Sequence, residues 1–140
     1  MLILDTDHFS EFIRGSEAGR NLVVKLDATT EDVALAIITA EEANRGWLAK
    51  IGKARDGRAR LAAYERYHVL LTVLRNWEVI PWNAETDAKF EDLAGQKLRV
   101  GTMDLRIAAI ALTTDATLLT RNLRDFKRVP GLRVENWLNA

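Results

Sequence analysis

Cysteine is absent from the 140 residues, and proline occurs only at Pro81 and Pro130. Without cysteine there can be no disulfide framework and no thiolate zinc site. With so little proline, and no Pro/Gly/Ser-rich tract or repeat, no stretch reads as a linker. Histidine is scarce too. His8 and His68 are the only two, which argues against a histidine-built metal centre. Any bound cation has to be held by oxygen donors, which suits Mg²⁺ or Mn²⁺. Long apolar runs are also missing. Val33–Ile38 and Ile107–Leu112 are the longest, far short of a bilayer span. The opening Met-Leu-Ile-Leu meets Asp5 at once and lacks the basic start and apolar stretch of a signal peptide. The expectation is a soluble, cytoplasmic protein with no membrane partner. It should form a single domain over residues 1–140, large enough to bury roughly two-thirds of its unfolded surface.

Charge of one sign is not in excess: 20 basic residues balance 20 acidic ones. The balance hides a segregation. Residues 1–44 hold nine acids and three bases. Residues 45–75 hold Arg45, Lys50, Lys53, Arg55, Arg58, Arg60, Arg66 and Arg75 against Asp56 and Glu65. Residues 121–133 hold Arg121, Arg124, Lys127, Arg128 and Arg133 against Asp125. A solvated helix surface would account for the middle run. Acids for a metal beside bases for phosphates would account for the whole pattern.

Apolar periodicity and turn chemistry predict alternating strands and helices. Strands are expected at Leu2–Leu4, Val33–Ile37, Val79–Ile80, Thr117–Thr120 and Leu132–Val134. The first helix follows an Asp7 cap and ends at Gly15, and a second covers 17–28. A third starts at Thr39 and runs to about Ala54. A long amphipathic helix covers 58–75, with Leu61, Tyr64, His68, Leu71 and Leu74 as its apolar stripe. Further helices are expected over 84–98, behind an Asn83 cap, over 103–113, and as a short turn near 122–128. Such alternation implies an α/β fold of three layers: a mainly parallel central sheet with helices on both faces. Ligands of these sheets bind beyond the carboxyl ends of the strands.

Chemistry-bearing residues fall at those ends. Asp5 follows the first strand, Glu42 lies in the first helical turn after the second, and Asn122 follows Thr120 of the fourth. Asp104 opens the most apolar helix. Converging carboxylates repel, and some would be forced to hold protons. A divalent cation removes that cost, polarises a phosphoryl oxygen and acidifies a water. Each acid also has a structural role open to it. Asp5 could cap the first helix. Thr39 and Glu42 match a capping box. Asp104 could complement a helix dipole, and Asn122 with Asp125 fit a capping pair. His8 is expected to face solvent or start a helix, and His68 to be a core or interface residue. Trp47, Trp77, Trp82 and Trp137 read as core or interface bulk. No serine–histidine–acid set or glycine-rich phosphate loop competes.

Four segments together carry a family resemblance. They are Leu-Asp5-Thr6-Asp7 with Ser10; Ile38 to Gly46 around Glu42; Gly101-Thr102-Met103-Asp104 running into Ile107-Ala108-Ala109; and Leu119-Thr120-Arg121-Asn122 with Asp125-Phe126, on to Trp137. In this order they resemble the PIN-domain family, and within it the VapC-type ribonuclease toxins of type II toxin–antitoxin pairs. Two positions depart from the family pattern. Asp7 stands where Asn is usual, and Asn122 where many relatives carry a fourth acid.

The resemblance implies a Mg²⁺- or Mn²⁺-dependent endoribonuclease that hydrolyses RNA, with transfer RNA as a reasonable target. It implies a homodimer, a cognate antitoxin that blocks the site, and DNA contact only through the antitoxin complex. Asp5 and Asp104 would bind the metal directly, and Glu42 directly or through water. Thr120 and Asn122 would orient water or a phosphate oxygen, with Thr6, Ser10 and Asp125 as auxiliary groups. The amide at Asn122 favours one firmly held ion over two. Two alternatives stay open. One is a catalytically weak PIN-like module that binds nucleic acid or antitoxin within a repressor complex. The other is a haloacid-dehalogenase-like phosphatase, suggested by Asp5-Thr6-Asp7 at a strand end.

Overall fold

The structure is a computed structural model and describes residues 1–138. Five short strands form one sheet: β1 (Leu2–Leu4), β2 (Val33–Ala36), β3 (Glu78–Ile80), β4 (Thr117–Leu119) and β5 (Arg133–Glu135). Their order across the sheet is β3-β2-β1-β4-β5, and every neighbouring pair is parallel. Seven helices connect them: α1 (Thr6–Arg14), α2 (Glu17–Ala28), α3 (Ile37–Lys53), α4 (Gly57–Arg75), α5 (Ala84–Gly95), α6 (Thr102–Thr113) and α7 (Leu123–Phe126).

Strand alternation divides the core into two layers of packing. Ile3, Ala34, Ala36 and Leu118 point to one face and meet Leu93 of α5 and Leu105, Ile107, Ala108 and Ile110 of α6. Leu2, Leu4, Leu35 and Leu119 point to the other and meet Phe9 of α1, Leu22 of α2 and Leu70 of α4. Helix α3 serves both sides, placing Ile38 in the first cluster and Ala43 and Trp47 against the second. All four tryptophans pack partly buried against these clusters. Among the described residues no helix is long and apolar enough to cross a membrane.

Three expectations are corrected. The second strand ends at Ala36 and α3 begins at Ile37, two residues before Thr39. Glu42 therefore lies in the second turn, and Thr39 caps nothing. Its side chain is fully buried, and its hydroxyl has no hydrogen-bond partner among the described residues. The first helix is capped by Asp5, whose side chain accepts from the His8 N–H, and Asp7 falls inside the first turn.

On α4 the expected stripe is not the buried one. Leu61, Tyr64 and Leu71 are exposed at 61%, 53% and 46%, and His68 is exposed with them. The helix instead buries Ala63 and Leu70, and packs Tyr67, Val73 and Leu74. Small Ala63 lets α4 approach closely, and the Tyr67 hydroxyl donates to Asn44 Oδ1 of α3 at 2.6 Å. Those contacts decide between two apolar faces that periodicity alone cannot rank.

Candidate active site

Parallel register brings the strand ends level. Leu4 of β1 pairs with Leu35 of β2 on one side and Leu119 of β4 on the other. The ladder runs one residue further, with the Asp5 N–H donating to the Leu119 carbonyl at 3.0 Å. The chain after β1, β2 and β4 therefore leaves from one edge of the sheet. A cleft of about 220 Å³ opens there, lined by Asp5, Thr6, Asp7, Glu42, Asp104 and Asn122, with Ile107 and Phe126 as its apolar floor.

Each polar side chain is held from behind. Asp5 is almost fully buried, at 7% exposure. Its Oδ1 accepts the His8 N–H at 3.0 Å, which aims the carboxylate along the start of α1. Glu42 reaches back from α3, and its Oε1 accepts the Thr6 hydroxyl at 2.6 Å. Asp104 stands in the first turn of α6, fixed by a helix that is buried almost all round. Asn122 caps α7, and its Nδ2 donates to Asp125 Oδ2 at 3.0 Å. Its backbone N–H donates to the Thr120 hydroxyl at 2.9 Å.

The electrostatics centre on Asp104. Burial, then the charges of Glu42, Asp5 and Asp125, push its carboxyl above the ordinary aspartate value, against a hydrogen bond from Asn122 that lowers it. Desolvation and like charge both penalise the ionised form. Four carboxylates are thus in electrostatic contact at one sheet edge, as expected for Asp5, Glu42 and Asp104. Among the described residues, no group of three or more acids or histidines is arranged to hold a metal ion by itself. An ion such as Mg²⁺ does not require one, since it keeps several waters and is held through one or two carboxylates. The donors are all hard oxygens, and the excess negative charge that lifts Asp104 is what a divalent cation would offset. The residues present therefore fit such an ion.

Other expected positions stand apart from the cleft. Thr120 is fully buried and supports Asn122 without lining the space. Asp125 sits behind Asn122, with Arg128 Nη1 3.3 Å from its Oδ1, and acts on Asp104 by charge. Ser10 lines a neighbouring groove.

Two participants, Asp7 and His8, are given other roles by the sequence reading and not assigned to the site. Asp7 lines the cleft, and its position two residues after Asp5 was the available signal. His8 stands in the first turn of α1, as its helix-start reading expects, but it is fully buried and not solvent-facing. Its Nε2 accepts the Trp137 N–H at 3.1 Å, so the ring proton is assigned to Nδ1. That Nδ1 faces Asp5 Oδ1 at 3.3 Å without hydrogen-bond geometry. His8 thereby ties the cleft to the end of the chain, a link of 129 residues that no local pattern could reveal.

Comparison with known proteins bears on the family and the fold. The family model of the PIN domain matches residues 2–132. Ribonuclease VapC2 of Rickettsia felis is 37% identical over 68 residues, covering 46% of this chain and 51% of that protein. The tRNA(fMet)-specific endonuclease VapC of Salmonella typhimurium is 41% identical over 46 residues, 33% of this chain and 35% of that one. The chain thus spans about half the length, or less, of the curated relatives it matches. The crystal structure of VapBC2 from Rickettsia felis, bound to a DNA fragment from its promoter, superposes with a TM-score of 0.77 at 26% identity. It covers 97% of this chain and 98% of the matched one.

Proposed function

Because the chain belongs to the PIN-domain family, we propose that it is a VapC-type toxin, an endoribonuclease that depends on Mg²⁺ or Mn²⁺. The observation that carries this is the convergence of Asp5, Glu42 and Asp104 on one cleft at the end of a parallel sheet, where burial and the neighbouring carboxylates push the Asp104 carboxyl up. Asp5 and Asp104 would hold the ion directly, and Glu42 directly or through water. When bound, the ion supplies charge neutralisation for the scissile phosphate and a water acidic enough to attack it.

The chain's own groups set the geometry. The His8 N–H holds Asp5, the Thr6 hydroxyl holds Glu42, and Asn122 holds Asp104. Thr120 keeps the Asn122 backbone in place, so that its amide can orient water or a phosphate oxygen. Ile107 and Phe126 close the floor, where low polarity strengthens each of these contacts.

RNA is the substrate, and the name of the Salmonella relative supports transfer RNA as its class. The partners are a cognate antitoxin, promoter DNA through the antitoxin complex as in the Rickettsia structure, and a second copy of the chain. Exposed Leu61, Tyr64, Val69 and Leu71 on α4 offer apolar surface for such assembly.

The test is incubation of the purified protein with total RNA and Mg²⁺ or Mn²⁺, with a chelator arm and Asp104→Asn as controls, followed by mapping of the cut ends. Metal-dependent cuts absent from Asp104→Asn are expected. A variant that cuts at the wild-type rate overturns the assignment. Two observations favour a second reading: Asn122 brings no charge, and among the described residues no group of three or more acids or histidines is arranged to hold a metal ion. A non-catalytic binding module would bind neither ion at millimolar concentration, which calorimetry decides. The phosphatase alternative has no comparable support, since the family model that matches residues 2–132 is that of the PIN domain.

A further inference from the structure

Beside the cleft lies a larger groove of about 570 Å³, between α1, α3 and α4. Thr6 and Glu42 line both spaces, so the groove opens on the carboxylates. Its wall is apolar, with Ile13 of α1 and Ala43 and Trp47 of α3. Its rim is cationic, with Arg14, Lys50 and Arg66 from three different helices. Lys50 Nζ lies 4.3 Å from the centre of the Trp47 ring. Gly46 also lines this groove from the interior of α3. Glycine is a poor choice there, since it weakens a helix relative to alanine. No crowding requires it, because a Cβ on Gly46 would meet nothing within 4 Å. The missing side chain leaves room in the groove.

We propose that this groove is the RNA track of the site, receiving the nucleotide next to the scissile phosphate. The proposal rests on the nuclease reading of the adjacent cleft. Its base packs on the apolar wall beside Trp47, and its phosphate is held by Lys50 and Arg66. A strand fixed at Asp104 that continues past Thr6 and Glu42 enters this space directly beyond them. An aromatic ring within a basic groove is the chemistry that holds single-stranded RNA. The Lys50 contact on Trp47 is a weak interaction of a solvated cation and gives way to a stacked base. The volume lies inside the range of roughly 300–1,000 Å³ usual for small-ligand sites, and the cationic rim complements a phosphate chain rather than an acid-free surface.

The test compares Gly46→Leu with Gly52→Leu, the same change on the same helix outside the groove, where a Cβ also meets nothing within 4 Å. Both variants gain helix propensity and are expected to melt no lower than their parent. Binding is read by fluorescence anisotropy of a short random-sequence single-stranded RNA, in an Asp104→Asn background that leaves the RNA intact. Gly46→Leu should weaken binding roughly tenfold or more, the loss expected when a stacked base is excluded. Gly52→Leu should change it by less than about twofold. Arg66→Ala should lower the slope of log affinity against log salt by about 0.7, one phosphate contact on a single strand.

RNA binding by Gly46→Leu equal to its parent overturns the proposal. So does retained RNA affinity with loss of a co-purified polypeptide, which would make the groove a protein site. If Gly46→Leu fails to fold, the Arg66→Ala salt slope decides, and an unchanged slope overturns it. Cleavage by the wild type with metal is measured separately. If the wild type cuts and Gly46→Leu keeps its KM, the groove assignment falls and the nuclease stands. If the wild type never cuts but Gly46→Leu loses RNA, the nuclease reading falls and the groove stands.

Discussion

Gly19→Ala should be among the most damaging single-methyl changes in this chain. Gly19 is buried in the first turn of α2, where its N–H donates to the Ser16 hydroxyl at 3.0 Å. A Cβ there would lie 2.0 Å from the Glu11 carbonyl oxygen and 2.7 Å from its carbon, both backbone atoms of α1. No rotamer relieves that clash. The helices have to part until the contact reaches the 3.4 Å of ordinary packing. Overpacking of this kind costs about 1–3 kcal/mol, and a clash between two backbones belongs at the top of that range. Alanine returns about 1 kcal/mol of helix propensity. The net loss is about 2 kcal/mol, or roughly a 6 °C fall in Tm for a domain of this size. Gly52→Ala, with nothing near its Cβ, should instead gain about 0.4–1 kcal/mol. Thermal melts followed by circular dichroism measure both. The displaced helix also carries Thr6, so cleavage should fall further than the folded fraction does. A Gly19→Ala protein that melts at or above the wild-type temperature would refute the close approach of α1 and α2.

Three further outcomes follow from the site. The raised carboxyl of Asp104 means that the metal-free folded state takes up its proton more readily than the unfolded chain. Ionised Asp104 therefore costs stability above its folded value, and the cost is relieved as pH falls from that value towards the ordinary one. Asp104→Asn should melt higher than metal-free wild type at pH 7, with the gap closing on acidification. Saturating Mn²⁺ should reverse the order, and a wild type that is already more stable without metal would contradict this. Thr6→Val removes the hydroxyl that positions Glu42 and should weaken Mn²⁺ binding by about tenfold, the size of an outer-shell loss; calorimetry showing unchanged affinity would detach Thr6 from the site. His8→Phe keeps the bulk but strands the Trp137 N–H, which should cost about 1–3 kcal/mol in urea melts.

The order of strands and helices was legible because short apolar runs alternate with amphipathic stretches; Asp5 and Glu42 were legible because each follows such a run, and Asp104 because it opens one. What was not legible has identifiable causes. Local chemistry favours Thr39 as a cap, but strand β2 ends early at Ala36 and α3 starts without any side-chain cap. Burial on α4 was misplaced because the helix carries two apolar faces; the one that holds Leu70 and Tyr67 packs on the core, and the Tyr67 hydroxyl bonds Asn44 of α3. The His8–Trp137 bond joins the two ends of the chain. Gly19 looks like a weak spot in a helix until the path of α1 is known.

The segregated charges acquire a meaning from the topology. A zero net charge provides no long-range attraction for RNA, so binding has to come from local fields. The parallel sheet gathers the acids of distant segments at one edge, where alone they would repel the phosphate chain. Thr6 and Glu42 stand at the boundary between that acidic cleft and the groove rimmed by Arg14, Lys50 and Arg66. A phosphate chain entering by the groove meets cations first and the carboxylates last. The acidic end is then tolerable only with a divalent ion in place. RNA affinity should therefore rise on adding Mg²⁺ more steeply than an equal ionic strength of NaCl lowers it, and the rise should vanish in Asp104→Asn. An Mg²⁺ response identical in the variant would place the ion's effect on the RNA rather than on the carboxylates.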